Sequence, residues 1–419
     1  MNRVYTYRGA LKMKKQIFLV DLPAVDTVQD IYIKGYIYPT FTNRYLRPIL
    51  EHYGISVKYY NLNEVLANEV LDAFACNPEV PIYIHLTANK YYSFCLFKSL
   101  VRNPIYVGGP MAKFCSSLFD DDIILIKDEL EETGILRKFG INEITPYWQS
   151  EDFLPYTGNT VYSNQSLEND FSSIVLFGRG CAYRCSFCSH SSYHKKLHLR
   201  NSISVHNEMK SYGEKSTSIY IADPSVGNSK QYDDIFDAVM DFSNLNFSMN
   251  IRADQVTTDM IMKLKKIRTE RVYLGVESIN DDLLEEYNKG ENNDRIIQAL
   301  KLLHANGIEY HLSFIIDKDF DIDKIMENKW FAMAKTFSFH FYIPYPGTYG
   351  FSSKDLWFEN RHWPLEISDR HPRAKELKRE VAQKLDYPIN SYHTITPHDH
   401  NETFQRIEKK LLEWENLIQ

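Results

Sequence analysis

The sequence predicts an α/β protein: an N-terminal doubly wound, Rossmann-like domain, then a partial (β/α)6 TIM-like barrel, then an α-rich C-terminal tail. Three observations predict it. Apolar runs of strand length alternate with helical periodicity over residues 14–138, the pattern of parallel strands joined by crossover helices. The alternation resumes at Phe171 and gives six strand–helix units by Tyr349. Beyond that point the composition changes, with Trp357, Trp363 and several His and Pro residues before a final amphipathic stretch over Glu402–Leu417.

The elements follow in order. Residues 1–13 read as a leader, either poorly ordered or a misassigned start, because Met13 directly precedes the strand-like run Gln16–Val20. Tyr45–Tyr53 reads as a helix with Pro48 in its first turn and Gly54 as its stop. Val57–Tyr60, Ile82–His85 and Ile105–Val107 complete the strands of the first domain, the last running into Gly108-Gly109-Pro110. Residues 139–170, rich in Asn, Ser, Thr, Pro and Tyr, read as a linker packed over the next domain. In the barrel, 171–349, strands are expected at Ser173–Phe177, Ser218–Ala222, Phe247–Ile251, Val272–Val276, Glu309–Ile316 and Phe337–Tyr342. Helices are expected at Asp234–Phe242 and Arg295–Asn306, the latter closed by Gly307. Chemistry in such a barrel sits at the carboxyl ends of the strands. Residues 350–419 form the tail, expected to cover the barrel mouth or meet the substrate.

Composition narrows the function. The 419-residue chain is 44% hydrophobic and 25% charged, with a net charge of -7, ordinary for a globular protein. It has no long Lys/Arg block to mark a nucleic-acid groove or an anionic membrane surface. No apolar stretch nears the roughly 20 residues that span a bilayer, and Ile17–Val20 is too short for a signal-peptide core. A cytoplasmic protein without membrane or nucleic-acid partners is expected. Of the six cysteines, Cys76, Cys95 and Cys115 are scattered and read as ordinary buried thiols. The other three point to a reduced compartment and one metal site.

Those three lie in Gly178-Arg179-Gly180-Cys181-Ala182-Tyr183-Arg184-Cys185-Ser186-Phe187-Cys188. Close spacing in one loop lets a chain wrap an iron–sulfur cube. Three thiolates leave one iron open, and an open position is what a metal needs to bind a reactant. A structural zinc site is the alternative, with His190 and His194 the nearest further ligands. Gly178 and Gly180 are expected to let the backbone bend, Tyr183 and Phe187 to pack, and Arg179 and Arg184 to be solvated.

The loop resembles the cluster loop of the radical S-adenosylmethionine (SAM) superfamily, including aromatic Phe187 before the third cysteine. The likeness extends from Phe171 to about Gly350. Tyr220-Ile221-Ala222-Asp223-Pro224 resembles the second-strand segment, where Gly-Gly-Glu is the common form, and Asn250-Ile251-Arg252-Ala253-Asp254 the third-strand end. Gly275-Val276-Glu277-Ser278 and Pro344-Tyr345-Pro346-Gly347-Thr348 resemble segments of the subgroup with an N-terminal cobalamin-binding-like domain, and Asn288-Lys289-Gly290 follows at the family's distance. The resemblance implies a 4Fe-4S cluster on Cys181, Cys185 and Cys188. It implies cofactor contacts from Phe187, Asp223, Arg252, Glu277 and Ser278, with Arg252 offering a planar fork to the SAM carboxylate. Local alternatives stand beside these: a turn or cap for Asp223, an ion pair with Lys289 or Arg252 for Glu277. His311, Asp317 and Tyr345 read mainly as fold support. Ile316-Asp317-Lys318-Asp319 replaces the family's Gly-x-Pro-Gly-Glu, which leaves adenine contacts there open. An electron donor such as flavodoxin or ferredoxin is implied.

Residues 14–138 resemble the cobalamin-binding-like domain. Gly108 and Gly109 would admit a corrin face or nucleotide tail closely. No Asp-x-His-x-x-Gly motif is present, and Lys127-Asp128-Glu129 stands where an acidic-Gly-acidic segment is usual. Cobalamin therefore stays one of two alternatives. With it, the expected reaction is methylation of an unactivated carbon of a peptide or natural product by way of a 5'-deoxyadenosyl radical; without it, radical epimerisation or bond formation. Methylthio transfer to RNA would need a second cluster, which Cys76, Cys95 and Cys115 are too dispersed to hold. A non-catalytic metal-binding scaffold is the reading from another class.

Overall fold

The computed structural model describes residues 15–22, 42–62, 67–156, 173–212, 218–316, 320–342 and 345–351. The leader, Asp317, and the tail beyond residue 351 with its aromatic and histidine residues lie outside them.

The first half alternates β1 (Gln16–Asp21), α1 (Arg47–His52), β2 (Ser56–Asn61), α2 (Ala67–Ala75), β3 (Ile82–His85), α3 (Tyr91–Leu100), β4 (Ile105–Gly108), α4 (Gly109–Phe114), β5 (Ile123–Leu125) and α5 (Glu131–Lys138). The strands form one sheet in the order β2-β1-β3-β4-β5, parallel throughout. Both faces are apolar. Phe18 and Val20 pack with Phe74 and Phe97 on one side, while Ile17 and Leu19 pack with Leu46 and Ile135 on the other. Helices on both faces are what a parallel sheet requires. The helix expected from Tyr45 starts at Arg47, after a π-helical turn over Thr42–Leu46, and Pro48 does lie in its first turn.

The second half runs through β6 (Ser173–Val175), β7 (Gly178–Arg179), α6 (Ser189–Tyr193), β8 (His198–Leu199), α7 (Ser202–Tyr212), β9 (Ser218–Ile221), α8 (Tyr232–Val239), β10 (Asn246–Ile251), α9 (Thr258–Lys266), β11 (Thr269–Glu277), α10 (Asp281–Glu286), α11 (Asn293–Ala305), β12 (Glu309–Ile316), α12 (Ile322–Glu327), α13 (Lys329–Ala332) and β13 (Thr336–Phe341). Six of the strands form an open parallel sheet in the order β6-β9-β10-β11-β12-β13. Ile219, Met249, Leu274, Leu312 and Phe339 belong to the core shared with the helices. The alternate positions carry Tyr220, Asn250, Tyr273, His311 and Ser313, all partly exposed. The inner face of the partial barrel is therefore polar. The strand expected to run from Ser173 straight into the cysteine loop stops at Val175, and Gly178–Arg179 instead pairs antiparallel with β8.

The halves are joined by buried polar contacts. Arg44 donates to Glu208 Oε1 at 2.6 Å, and Arg200 also pairs with that carboxylate. Arg179 forms a two-pronged pair with Glu132 at 3.0 and 2.6 Å and stacks on Trp148, 4.3 Å from its ring centre. Trp148 and Phe153, in the segment after α5, are buried, and Trp148 Nε1 donates to His198 O at 3.0 Å.

Candidate functional site

The cysteine loop leaves β7 and enters α6. It can turn there because Gly180 holds a φ of 94° with Lys196 O against it: a Cβ at this position would stand 2.1 Å from that oxygen. Arg184 ties the loop shut, donating to the carbonyls of Cys181 and Tyr183 at 2.8 Å each and also to Lys195 O. The expectation of solvated arginines holds for Arg184, which is exposed, and is corrected for Arg179. Arg179 is 5% exposed, its charge matched by Glu132, and Arg184 is spent on backbone carbonyls. Ser186 N donates to Tyr287 O at 2.9 Å and Asn288 Nδ2 to Arg184 O at 2.7 Å, so the β11–α11 connection holds the loop from the far side.

Cys181 and Cys185 are buried and Cys188 is half-buried. Burial pushes all three thiols up, and each is further affected by the charge of another. Lys289 and Arg252 pull Cys185 back toward ionisation. Arg252 Nη1 lies 3.5 Å from Cys185 Sγ, and Asn228 Nδ2 lies 3.9 Å from Cys181 Sγ. Two buried cations and an amide thus face sulfur, a donor set suited to an anionic iron–sulfur group. Among the described residues no three His, Cys, Asp or Glu side chains are set to hold one metal ion. His190 and His194 lie on α6, their rings 5.1 Å apart, and burial lowers their pKa values to about 4 and about 3.

The other expected cofactor residues divide. Asp223 is fully buried: Oδ1 accepts from Phe177 N at 2.8 Å and Oδ2 from Tyr232 OH at 2.7 Å. This geometry favours the local alternative, a carboxylate that holds the entry to the cysteine loop, over contact with an ammonium group. Arg252 is likewise held by neighbouring residues. Its Nε donates to Asp254 at 3.2 Å and its Nη2 to Lys289 O, Glu291 lies 3.6 Å away, and the guanidinium covers the Tyr183 ring at 3.8 Å. In this structure the fork is engaged by protein atoms, with Nη1 toward Cys185 Sγ. Glu277 pairs with Lys289 at 3.2 Å, the ion pair weighed as its alternative. Ser278 Oγ accepts from Asn280 N at 3.0 Å in a local turn. Phe187 packs edge-on against Tyr287, centroids 5.3 Å apart. His311 bonds Thr336 and Ser338 at 2.8 and 2.9 Å on the polar inner face, and Tyr345 is 40% exposed.

Sequence reasoning passed over Lys289 as a site residue. It is 4% exposed. Burial alone would lower its pKa, but Glu277 and Glu291 outweigh that and hold the ammonium charged. The Asn-Lys-Gly spacing and its candidacy as the ion-pair partner of Glu277 were the hints to it. In the first half, the glycine pair has a packing role that the sequence did not show. A Cβ at Gly108 would stand 2.2 Å from Tyr83 Oη, and one at Gly109 would stand 2.7 Å from Leu86 O. The glycines let protein pack on protein. Cys76 is exposed and Cys95 half-buried, which corrects the reading of buried thiols. Cys115 is buried, its pKa pushed up to about 12.

Residues 175–327 match the family model described as the radical SAM superfamily. The chain is 25% identical over 225 residues to the bacteriochlorophyllide d C-12(1)-methyltransferase of Chlorobaculum tepidum, a match covering 50% of this chain and 48% of that protein. It thus spans about half the length of that curated relative. Among solved structures it resembles the radical SAM methyltransferase TsrM of Kitasatospora setae, determined with cobalamin and a 4Fe-4S cluster. The TM-score is 0.59 at 14% identity, over 80% of this chain and 77% of that one. It also resembles OxsB, a cobalamin-dependent SAM radical enzyme determined with aqua-cobalamin and SAM, with a TM-score of 0.56 at 17% identity over 95% of this chain and 61% of that one. These structural likenesses bear on the fold, an N-terminal Rossmann-like sheet followed by a partial barrel.

Proposed function

We propose that this chain, which contains a radical SAM domain, cleaves SAM at a 4Fe-4S cluster held by Cys181, Cys185 and Cys188 and methylates an unactivated carbon with cobalamin as the second cofactor. The observation that carries the reading is that Cys181, Cys185 and Cys188 share one loop tied shut by Arg184, with the buried Arg252 guanidinium 3.5 Å from Cys185 Sγ and the buried Lys289 ammonium acting on the same thiol. When bound, the cluster supplies one electron to SAM and an iron position for its amino-acid end.

The chain's own residues supply the rest. Gly180 and Arg184 set the loop's curvature. Arg252 and Lys289 offset the negative charge of the thiolates. Tyr183, spread under Arg252, and Phe187, packed on Tyr287, limit water at the cysteines. Asp223 fixes Phe177, two residues past the end of β6. The substrate, a peptide or small natural product, would lie against the inner face lined by Tyr273, His311 and Ser313. A one-electron donor of the flavodoxin or ferredoxin kind would reduce the cluster. No described helix is long and apolar enough to cross a membrane.

The test is anaerobic reconstitution with iron, sulfide and hydroxocobalamin, followed by SAM and a chemical reductant. Iron, sulfide, corrinoid absorption and a SAM-derived product are expected together. Cys185→Ala should abolish SAM cleavage, and cleavage at the wild-type rate in that variant would overturn the proposal. Cleavage without any corrinoid uptake would move the function to the cobalamin-independent branch.

A further inference from the structure

A second constellation lies at the carboxyl edge of the N-terminal sheet, on elements separate from the cysteine loop. In the order β2-β1-β3-β4-β5 the progression reverses between β1 and β3. Ligands of open α/β sheets sit outside the strand ends at such a switch point. Asp21 ends β1 and His85 ends β3. Asp21 is 2% exposed: Oδ1 accepts from Thr42 Oγ1 at 3.1 Å, while Oδ2 is buried and has no hydrogen-bond partner among the described residues. The Asp21 charge acts on His85, so the two are electrostatic neighbours.

His85 is oriented from behind. Its Nδ1 lies 2.8 Å from Glu131 Oε1, and Glu131 also accepts from Tyr193 OH at 2.6 Å and from Tyr83 OH. The carboxylate thus takes hydrogens from two tyrosine hydroxyls and faces the imidazole with Oε1. An ionised carboxylate only accepts, so the imidazole must present N–H at Nδ1. A metal at Nε2 would take the place of the proton there, and the ring would then offer it that nitrogen's lone pair. Among the described residues Nε2 has no hydrogen-bond partner, and the side chain is 27% exposed. A carboxylate behind one ring nitrogen and an open second nitrogen is how proteins prepare a metal-ligating histidine.

We propose that His85 Nε2 is the axial nitrogen donor to the cobalt of a corrinoid bound at this switch point, with Glu131 as the residue that fixes its tautomer and direction. The inference rests on the cobalamin reading above. It also accounts for the missing Asp-x-His-x-x-Gly segment: the nitrogen comes from the end of β3 rather than from a loop motif. Ligation replaces an open position on cobalt with the Nε2 lone pair and leaves the Nδ1 proton on the Glu131 side. Because Tyr193 closes the short helix that follows Cys188, the same carboxylate connects this histidine to the cysteine loop.

The test uses full-length protein with 15N-labelled histidine, reconstituted with hydroxocobalamin and mildly reduced to the cob(II)alamin state while the cluster stays oxidised. The electron paramagnetic resonance spectrum then reports the axial ligand. A 15N donor splits each cobalt line into a doublet, the cofactor's own 14N base splits it into a triplet, and an oxygen donor gives no splitting. A doublet that disappears in His85→Ala, with iron per chain unchanged, is expected. A triplet, or unsplit lines, in the wild-type protein would overturn the proposal while leaving cobalamin binding intact. Failure of the protein to take up any corrinoid would instead overturn the cofactor reading, and this inference with it.

Discussion

Removing a carboxylate from water costs free energy unless its charge is met in full. Asp223 shows the consequence: complete burial, against hydrogen bonds from Tyr232, Phe177 and Gly178, lifts its pKa from an ordinary 3.8 to about 7. The folded protein therefore prefers the protonated form more than the unfolded chain does. That preference stabilises the fold fully below the unfolded value and is lost as pH rises through the folded one. A shift of this size is worth at most about 4 kcal/mol. Asp223→Asn keeps an acceptor for Phe177 N and removes the titration. The stability of wild type minus that of the variant should fall between about pH 5 and about pH 8, read from urea midpoints of the metal-free protein. Equal differences at both pH values would show that this carboxyl does not titrate in that window. Lys289 and Arg252 solve the same burial problem by pairing, with Glu277, Glu291 and Asp254 around them. Removing one partner of such a network costs far more than an exposed pair contributes.

At the scale of elements, β11 decides where Glu277 points. The pairing with β12 slips between Gly275 and Glu277, and Glu277 takes a φ of 67°. A non-glycine residue held there stores on the order of 1–3 kcal/mol of strain, which clusters at functional positions. Gly275 makes room for the bend, since a Cβ on it would stand 2.1 Å from Glu277 Oε1. Gly275→Ala should push the carboxylate off Lys289 and lower SAM cleavage at least tenfold, about 1.4 kcal/mol in the barrier. Iron content should stay near wild type, because the cysteine loop is a separate element. Iron analysis beside 5'-deoxyadenosine formation checks this, and unchanged cleavage would count against a role for the bend. The strands were legible because periodicity and apolar runs mark them: Ile82–His85 and Glu309–Ile316 fall where expected. The cysteine spacing was legible for the same local reason. The tasks of Asp223, Arg252 and the Gly108–Gly109 pair were not. Whether a charged side chain faces a ligand or a neighbour depends on chain segments dozens of residues away, as Lys289 O beneath Arg252 illustrates. Glycines are equally mute, since Tyr83 and Leu86 set their purpose only after folding.

Across the whole molecule the two halves are tied through α5, whose first two residues serve different partners. Glu132 binds Arg179 at the entry to the cysteine loop, and Glu131 gathers His85, Tyr83 and Tyr193. Burial by itself would raise the Glu131 pKa, but His85 and the two hydroxyls prevail and lower it from 4.5 to about 2. The sign is opposite to that of Asp223. A depressed carboxyl stabilises the fold above its unfolded value, and that stability is lost as pH falls through the folded one. The shift is worth about 3 kcal/mol. Glu131→Gln should therefore be less stable than wild type at neutral pH by roughly that amount, and the gap should narrow steadily as the pH falls from about 4.5 toward about 2. Because Tyr193 belongs to the second half and Tyr83 and His85 to the first, the loss should also loosen the halves from one another. Proteolysis at neutral pH should then cut the variant between residues 139 and 172 sooner than wild type. If the stability gap stayed constant down the pH scale, the buried carboxylate would not be the charged node that couples the sheet to the cysteine loop.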